Sequence, residues 1–124
     1  MEKGYRDLIV YQRAYALAMK VFEVSKRFPS EERFGLTNQL RRSSRAVVAN
    51  IAEGYRRASH IRSMPMRFED ADAEAGETQV WIDLAADCGY LARDVDEELR
   101  TGYEEIGRML GRILIDPSRF RPNR

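Results

Sequence analysis

Arginine is the residue type in this chain with the clearest capacity for chemistry. Arg41, Arg42 and Arg45 stand close together, and Arg56 and Arg57 follow directly after Tyr55. Arg62 and Arg67 extend the tract. A guanidinium fork can hold two phosphate oxygens at once. A row of such forks on a helix meets a nucleic-acid backbone without reading its bases. Arg41 and Arg45 are four apart and so share a helix face. Arg41, Arg42, Arg45, Arg56 and Arg57 are therefore the candidate nucleic-acid-binding residues. The competing assignment puts Arg41 or Arg42 in structural ion pairs with carboxylates. No RNA-reading module of the aromatic-sheet or glycine-clamp kind is evident.

The carboxylates offer less. Asn50 and Glu53 lie three apart among apolar neighbours. A half-buried carboxylate needs a partner, so both are read as structural polar residues, with Glu53 paired to an arginine of helix one or two. A catalytic acid would need a second group, and none accompanies it. Asp70, Glu74 and Glu77 repeat at 4-3 spacing. Such a row could hold a hard cation, but a solvated or arginine-paired face is preferred. A di-iron centre would require Glu-x-x-His pairs from two helices, and His60 is the sole histidine. His60 is expected at a helix end or in a loop, Cys88 as a small buried residue, and Trp81 as a core or interface anchor. The expectation is a protein that is not an enzyme and holds neither metal nor cofactor.

These side chains must be positioned by helices, because the apolar spacing is helical almost throughout. Val10, Ala14, Leu17, Val21, Val24 and Phe28 form one stripe, and Leu36, Leu40, Ser43, Val47, Ile51 and Gly54 a second. Phe68, Ala71, Ala75, Thr78, Ile82 and Ala85 form a third, and Val95, Leu99, Gly102, Ile106, Met109 and Ile113 a fourth. Helices are predicted over about 8–28, 36–58, 66–88 and 94–115, with a frayed tail over 116–124. Pro29 and Pro117 stop the first and last, and Gly89 is a candidate left-handed cap. No stretch alternates with period two. The fold class is all-α, an antiparallel up-down four-helix bundle forming one domain over 1–124. Gly107 and Gly111 lie four apart and offer a place for close backbone approach. On helix one, Tyr11, Tyr15, Ala18 and Phe22 form a second apolar stripe. Either the core face is wide, or Tyr11, Tyr15 and Phe22 line a subunit interface.

Composition supports a folded chain. The 124 residues are 44% apolar and 33% charged, enough for a core and a soluble surface. Lys+Arg total 21 and Asp+Glu 20, so bulk charge points to no particular partner. The halves differ sharply, however. Residues 1–67 hold 14 basic and 6 acidic side chains, and residues 68–124 hold 7 and 14. Either basic and acidic helices pair with one another, or the basic half faces an anionic partner. No apolar run is long enough to span a membrane, and Met1 to Gly4 lead into no signal core. With the single Cys88, these features fit a reducing cytoplasm.

Several segments carry a family likeness. They are Tyr5-Arg6-Asp7-Leu8, Phe28-Pro29-Ser30-Glu31-Glu32, the run from Gly35 to Tyr55 with Asn38-Gln39-Leu40-Arg41-Arg42 and Ala49-Asn50-Ile51-Ala52-Glu53-Gly54, and Glu104-Glu105-Ile106-Gly107. Over about residues 5–115 the chain resembles the bacterial four-helix-bundle family encoded by intervening sequences in 23S ribosomal RNA genes. It is also similar to the accessory variability determinant of diversity-generating retroelements. The resemblance implies a ring-like homopentamer. From the second relative it implies binding of RNA or of a nucleic-acid-processing protein through basic helix surface. Ser43, Ser44 and Arg45 depart from the family's usual apolar or small residues there, as does the acidic start of helix three. Together these readings give an oligomeric accessory or scaffold protein that binds RNA or a ribonucleoprotein. The alternative is a protein-binding adaptor without nucleic-acid contact.

Overall fold

The structure is a computed structural model and describes residues 4–60 and 62–120. It contains α1 (Ile9–Ser25), α2 (Leu36–Arg56), α3 (Ser63–Asp87) and α4 (Arg93–Ile115). Short 3-10 turns occupy Tyr5–Asp7, Ser30–Glu32 and Pro117–Phe120, and no strand occurs among the described residues. Each helix packs on its sequence neighbours, and α1 with α4 closes the bundle. Cross-seam pairs run in opposite senses. Arg13 meets Glu105 while Lys20 meets Glu98, and Ser43 meets Thr78 while the Gly54 backbone meets Phe68. The fold is thus an antiparallel four-helix bundle.

The four stripes supply most of the core. Val10, Ala14, Val21, Leu40, Val47, Ile51, Phe68, Ala75, Ile82, Leu99 and Ile106 are all buried. Tyr103 and Leu110, just beside the fourth stripe, are buried as well.

Helix ends follow local chemistry. α1 stops at Ser25, short of the expected residue 28. Arg27 and Phe28 then donate to Val24 O and Ser25 O at 3.2 and 3.1 Å, a tighter winding. A residue before proline resists the α conformation, so the winding changes ahead of Pro29 while Phe28 stays buried. α3 begins at Ser63, earlier than the expected 66, with Pro65 in its first turn. First-turn N–H groups have no intrahelical acceptor, so proline forfeits no hydrogen bond there. Of the expected tail, residues 121–124 lie outside the described residues.

Glu32 joins two ends of the bundle. Its Oε1 accepts the Leu36 N–H at 3.3 Å, where negative charge favours the start of α2. Its Oε2 accepts the Tyr90 hydroxyl at 2.9 Å. Tyr90 is placed by Gly89, whose φ of 79° is the left-handed cap expected from the sequence. Tyr90 N–H reaches Ala85 O at 2.9 Å and Gly89 N–H reaches Ala86 O at 3.0 Å, a Schellman closure.

Two expectations are corrected. Cys88 is exposed, because α3 ends at Asp87 and the chain turns away before Cys88 can follow Ala85 inward. Gly107 and Gly111 do not admit a neighbouring backbone. A Cβ on Gly107 would come no nearer than 3.9 Å to the Asp72 carboxylate, and one on Gly111 would meet nothing within 4 Å. Gly102 does the close packing on α4: a Cβ there would lie 2.5 Å from Leu17 Cδ2.

A Cβ on Gly54 would lie 3.0 Å from the buried Phe68 ring, which has no room to retreat. Gly54→Ala should lower stability in chemical denaturation by about 1–2 kcal/mol, overpacking outweighing the helix-propensity gain. Gly111→Ala, with open space around it, should raise stability by up to about 1 kcal/mol.

The bond to Glu32 pushes the Tyr90 phenol up to about 12, against an ordinary value near 10. A raised phenol favours the neutral form in the folded state. Its contribution to stability is therefore present below pH ~10 and lost as pH climbs toward ~12. Ultraviolet titration of Tyr90→Phe should lose one late-ionising phenol relative to the parent chain.

Candidate nucleic-acid interface

The rotational setting of α2 decides which arginines are free. Ser43 is fully buried, and its Oγ accepts a hydrogen bond from the Thr78 hydroxyl of α3 at 2.8 Å. Successive residues turn ~100° about the helix axis. Arg42 consequently falls on the α3 side, whereas Arg41 and Arg45 fall on the α1 side.

Arg42 is bound to α3. Its Nη2 lies 2.6 Å from Glu77 Oε1 and 3.5 Å from Glu74 Oε1. The Glu77 hydrogen bond, then the Glu74 charge, hold its proton more tightly than usual. Glu77 also accepts the Trp81 indole N–H at 3.2 Å. Asp70 pairs with Arg67 at 3.7 Å. The 4-3 carboxylate row is thus an arginine-paired face. Among the described residues no group of three or more His, Cys, Asp or Glu could hold a metal ion.

Further along α2, Arg57 Nε donates to Glu53 Oε2 at 2.8 Å. That bond is the main cause of a Glu53 carboxyl held below its usual range. Asn50 turns back on its own helix, donating to Ala46 O at 3.0 Å. Arg56, by contrast, is exposed.

Arg41 and Arg45 converge on an aromatic ring. Their guanidinium carbons lie 4.8 and 5.8 Å from the centroid of Phe22 on α1. Lys26 Nζ lies 4.8 Å from the same centroid. Arg41 Nε also donates to Ser25 Oγ at 2.7 Å. Ser25 is buried and bonds back to Phe22 O at 3.1 Å, so the anchor is fixed. Among the described residues, neither Arg41 nor Arg45 forms an ion pair with a carboxylate, and Lys26 meets only Glu23, at 3.4 Å. Phe22, read from the sequence as lining either a wide core face or a subunit interface, sits among cations of its own chain. Tyr11 packs edge-on against Tyr5 at 5.0 Å. Tyr15 stands 5.9 Å from Tyr11 and is half exposed.

Sequence reasoning missed Lys26, although its i,i+4 spacing from Phe22 was the available signal. It also missed the outer face of α3. There Met66, Val80 and Leu84 are 60%, 52% and 45% exposed, opposite the buried Phe68, Ala75 and Ile82. α3 is apolar on two sides, and within the subunit only one is covered.

This geometry defines an antiparallel four-helix bundle with a cation-rich flank on α1 and α2 and an uncovered apolar strip on α3. The chain belongs to the 23S rRNA-intervening sequence protein family, whose model matches residues 6–112. A crystal structure of a protein of unknown function from the S23 ribosomal protein family of Bacteroides thetaiotaomicron VPI-5482 is similar to it. The two are 25% identical, with a TM-score of 0.76 over 86% of this chain and 98% of that one. No curated protein matches the chain. No helix among the described residues is long and apolar enough to cross a membrane.

A double-mutant cycle of Arg42→Ala with Glu77→Ala should return a coupling of about 0.5–1 kcal/mol, the range of a half-exposed pair. Arg42→Ala alone should leave nucleic-acid affinity unchanged.

Proposed function

We propose that this chain is a non-catalytic, homo-oligomeric accessory protein of the cytoplasm that presents its basic flank to RNA or a ribonucleoprotein. The observation that carries the reading is the cationic surplus on α1 and α2 that internal pairing leaves over. Arg13, Lys20 and Arg42 are neutralised by Glu105, Glu98 and Glu77 across helix seams. Among the described residues Arg41, Arg45 and Arg56 are not so neutralised, and a polyanion offsets such charge with little demand on sequence.

The outer strip of α3 supports self-assembly. Exposed Val80 and Leu84 lie one turn apart on the outer face of α3, with exposed Met66 further toward its start, and apolar side chains of this kind are what subunit contacts bury. A second copy is the natural cover, and the family likeness favours five copies in a ring.

A cleft of about 560 Å³ between α1 and α4 favours a second reading, the protein-binding adaptor. Leu17 and Gly102 floor it, and Asp94, Glu97 and Glu98 rim it, a setting suited to a basic segment of another protein.

Light scattering at micromolar concentration should give a multiple of the 14.4 kDa subunit mass, with five copies expected. Val80→Glu with Leu84→Glu should shift the mass toward the monomer while circular dichroism keeps its helical signal. A parent chain that is monomeric would overturn the oligomer. RNA affinity of the parent chain should fall steeply with salt; no binding at low salt would remove the RNA role and leave the adaptor.

A further inference from the structure

We infer that Lys26, Arg41 and Arg45, gathered around Phe22, form the seat for a phosphodiester backbone. The inference rests on the RNA reading above and names the surface that would carry it.

Three cations drawn to one ring are costly to hold together, and Glu23 offsets only one of them. The Phe22 quadrupole relieves part of the repulsion. The remainder is a standing positive charge on an open surface, with both arginines already oriented. Arg41 is held twice, by the ring and by the buried Ser25 hydroxyl. A guanidinium ordered in advance loses less entropy when it grips an anion.

The arrangement also selects the form of the anion. Arg41 and Arg45 are one helical turn apart, about 6 Å along α2. That separation suits successive phosphates of a strand better than one small anion. The cluster lies on the α1–α2 flank, away from the α1–α4 cleft. The Phe22 ring is occupied by cations, so it serves to hold them and not to stack a base. The ligand class is a nucleic-acid backbone, held by its phosphates without sequence preference.

The test is fluorescence anisotropy with a labelled single-stranded RNA of mixed sequence. A DNA strand of the same sequence and a poly-glutamate peptide serve as comparison probes. Lys26→Ala with Arg45→Ala should weaken RNA binding at least about tenfold. It should also flatten the salt slope by about 1.4, two contacts at ~0.7 each. Phe22→Leu keeps an apolar side chain but frees the cations, and should cost about two- to fivefold. Arg42→Ala, already ion-paired, should change neither quantity. RNA and DNA should bind alike, since the backbone is what is held. Circular dichroism and light scattering establish that each variant remains folded and assembled.

If the parent chain binds RNA but the Lys26/Arg45 double variant keeps its affinity and slope, this site is overturned and the RNA reading stands. If the parent chain binds no RNA at low salt, both fall together. Tighter binding of poly-glutamate than of RNA would also overturn the site, in favour of an acidic protein partner.

Discussion

The close seam between α2 and α3 is the constraint on which the rest of the molecule depends. The Thr78 hydroxyl is 2.8 Å from Ser43 Oγ and equally close to Glu74 O, deep in the core. Small side chains at Ala71 and Ala75, with Gly54 under the Phe68 ring, let the two helices approach. A buried hydroxyl that lost its partner would be left desolvated. The pair therefore favours one rotational setting of α2 over its neighbours. Everything α2 displays follows from that setting. Arg42 must point to α3 and its carboxylates, and Arg41 and Arg45 must point to α1.

Charge segregation along the sequence then becomes charge pairing in space, though not completely. Seams between basic and acidic helices are crossed by Arg42 to Glu77 and by Lys20 to Glu98, and α3 meets α4 through Arg100 and Asp83. The α1–α2 seam is different, because both of its helices come from the basic half. Cations meeting there find few carboxylates and settle on Phe22 instead. The cationic flank is thus a residue of topology. In an up-down bundle the first two helices must be neighbours, and no acidic helix can lie between them.

Much of this was legible in the sequence. The stripes found the helices and their antiparallel order, and Gly89 was recognisable as a left-handed cap from its place after the third stripe. Of the solvated and arginine-paired settings expected for the 4-3 carboxylate row, the structure shows the second, with Arg42 on Glu74 and Glu77 and Arg67 on Asp70. What was not legible depended on rotation and on partners. Arg41 and Arg42 are adjacent in sequence, and only the buried Ser43 separates their fates. Phe22 stayed open between core and interface because spacing reports that a face is apolar and not what covers it. Cys88 read as buried because a free cysteine behaves as a small apolar residue, whereas α3 ends at Asp87 and leaves it exposed. The outer strip of α3 was hidden because its apolar residues fill the gaps between acidic ones.

The order of the helices has a kinetic corollary. Three of the four seams join elements that are adjacent in the chain, through links of 10, 6 and 5 residues, so each closes as a local hairpin. The α1–α4 seam alone joins the two ends, with all of α2 and α3 between them. Its loop-closure entropy is the largest in the molecule, and it gains its contacts, Leu17 on Gly102 among them, only after the other seams have formed. It is accordingly expected to close last in folding, and hydrogen exchange should reach the amides of α1 and α4 sooner than those buried between α2 and α3.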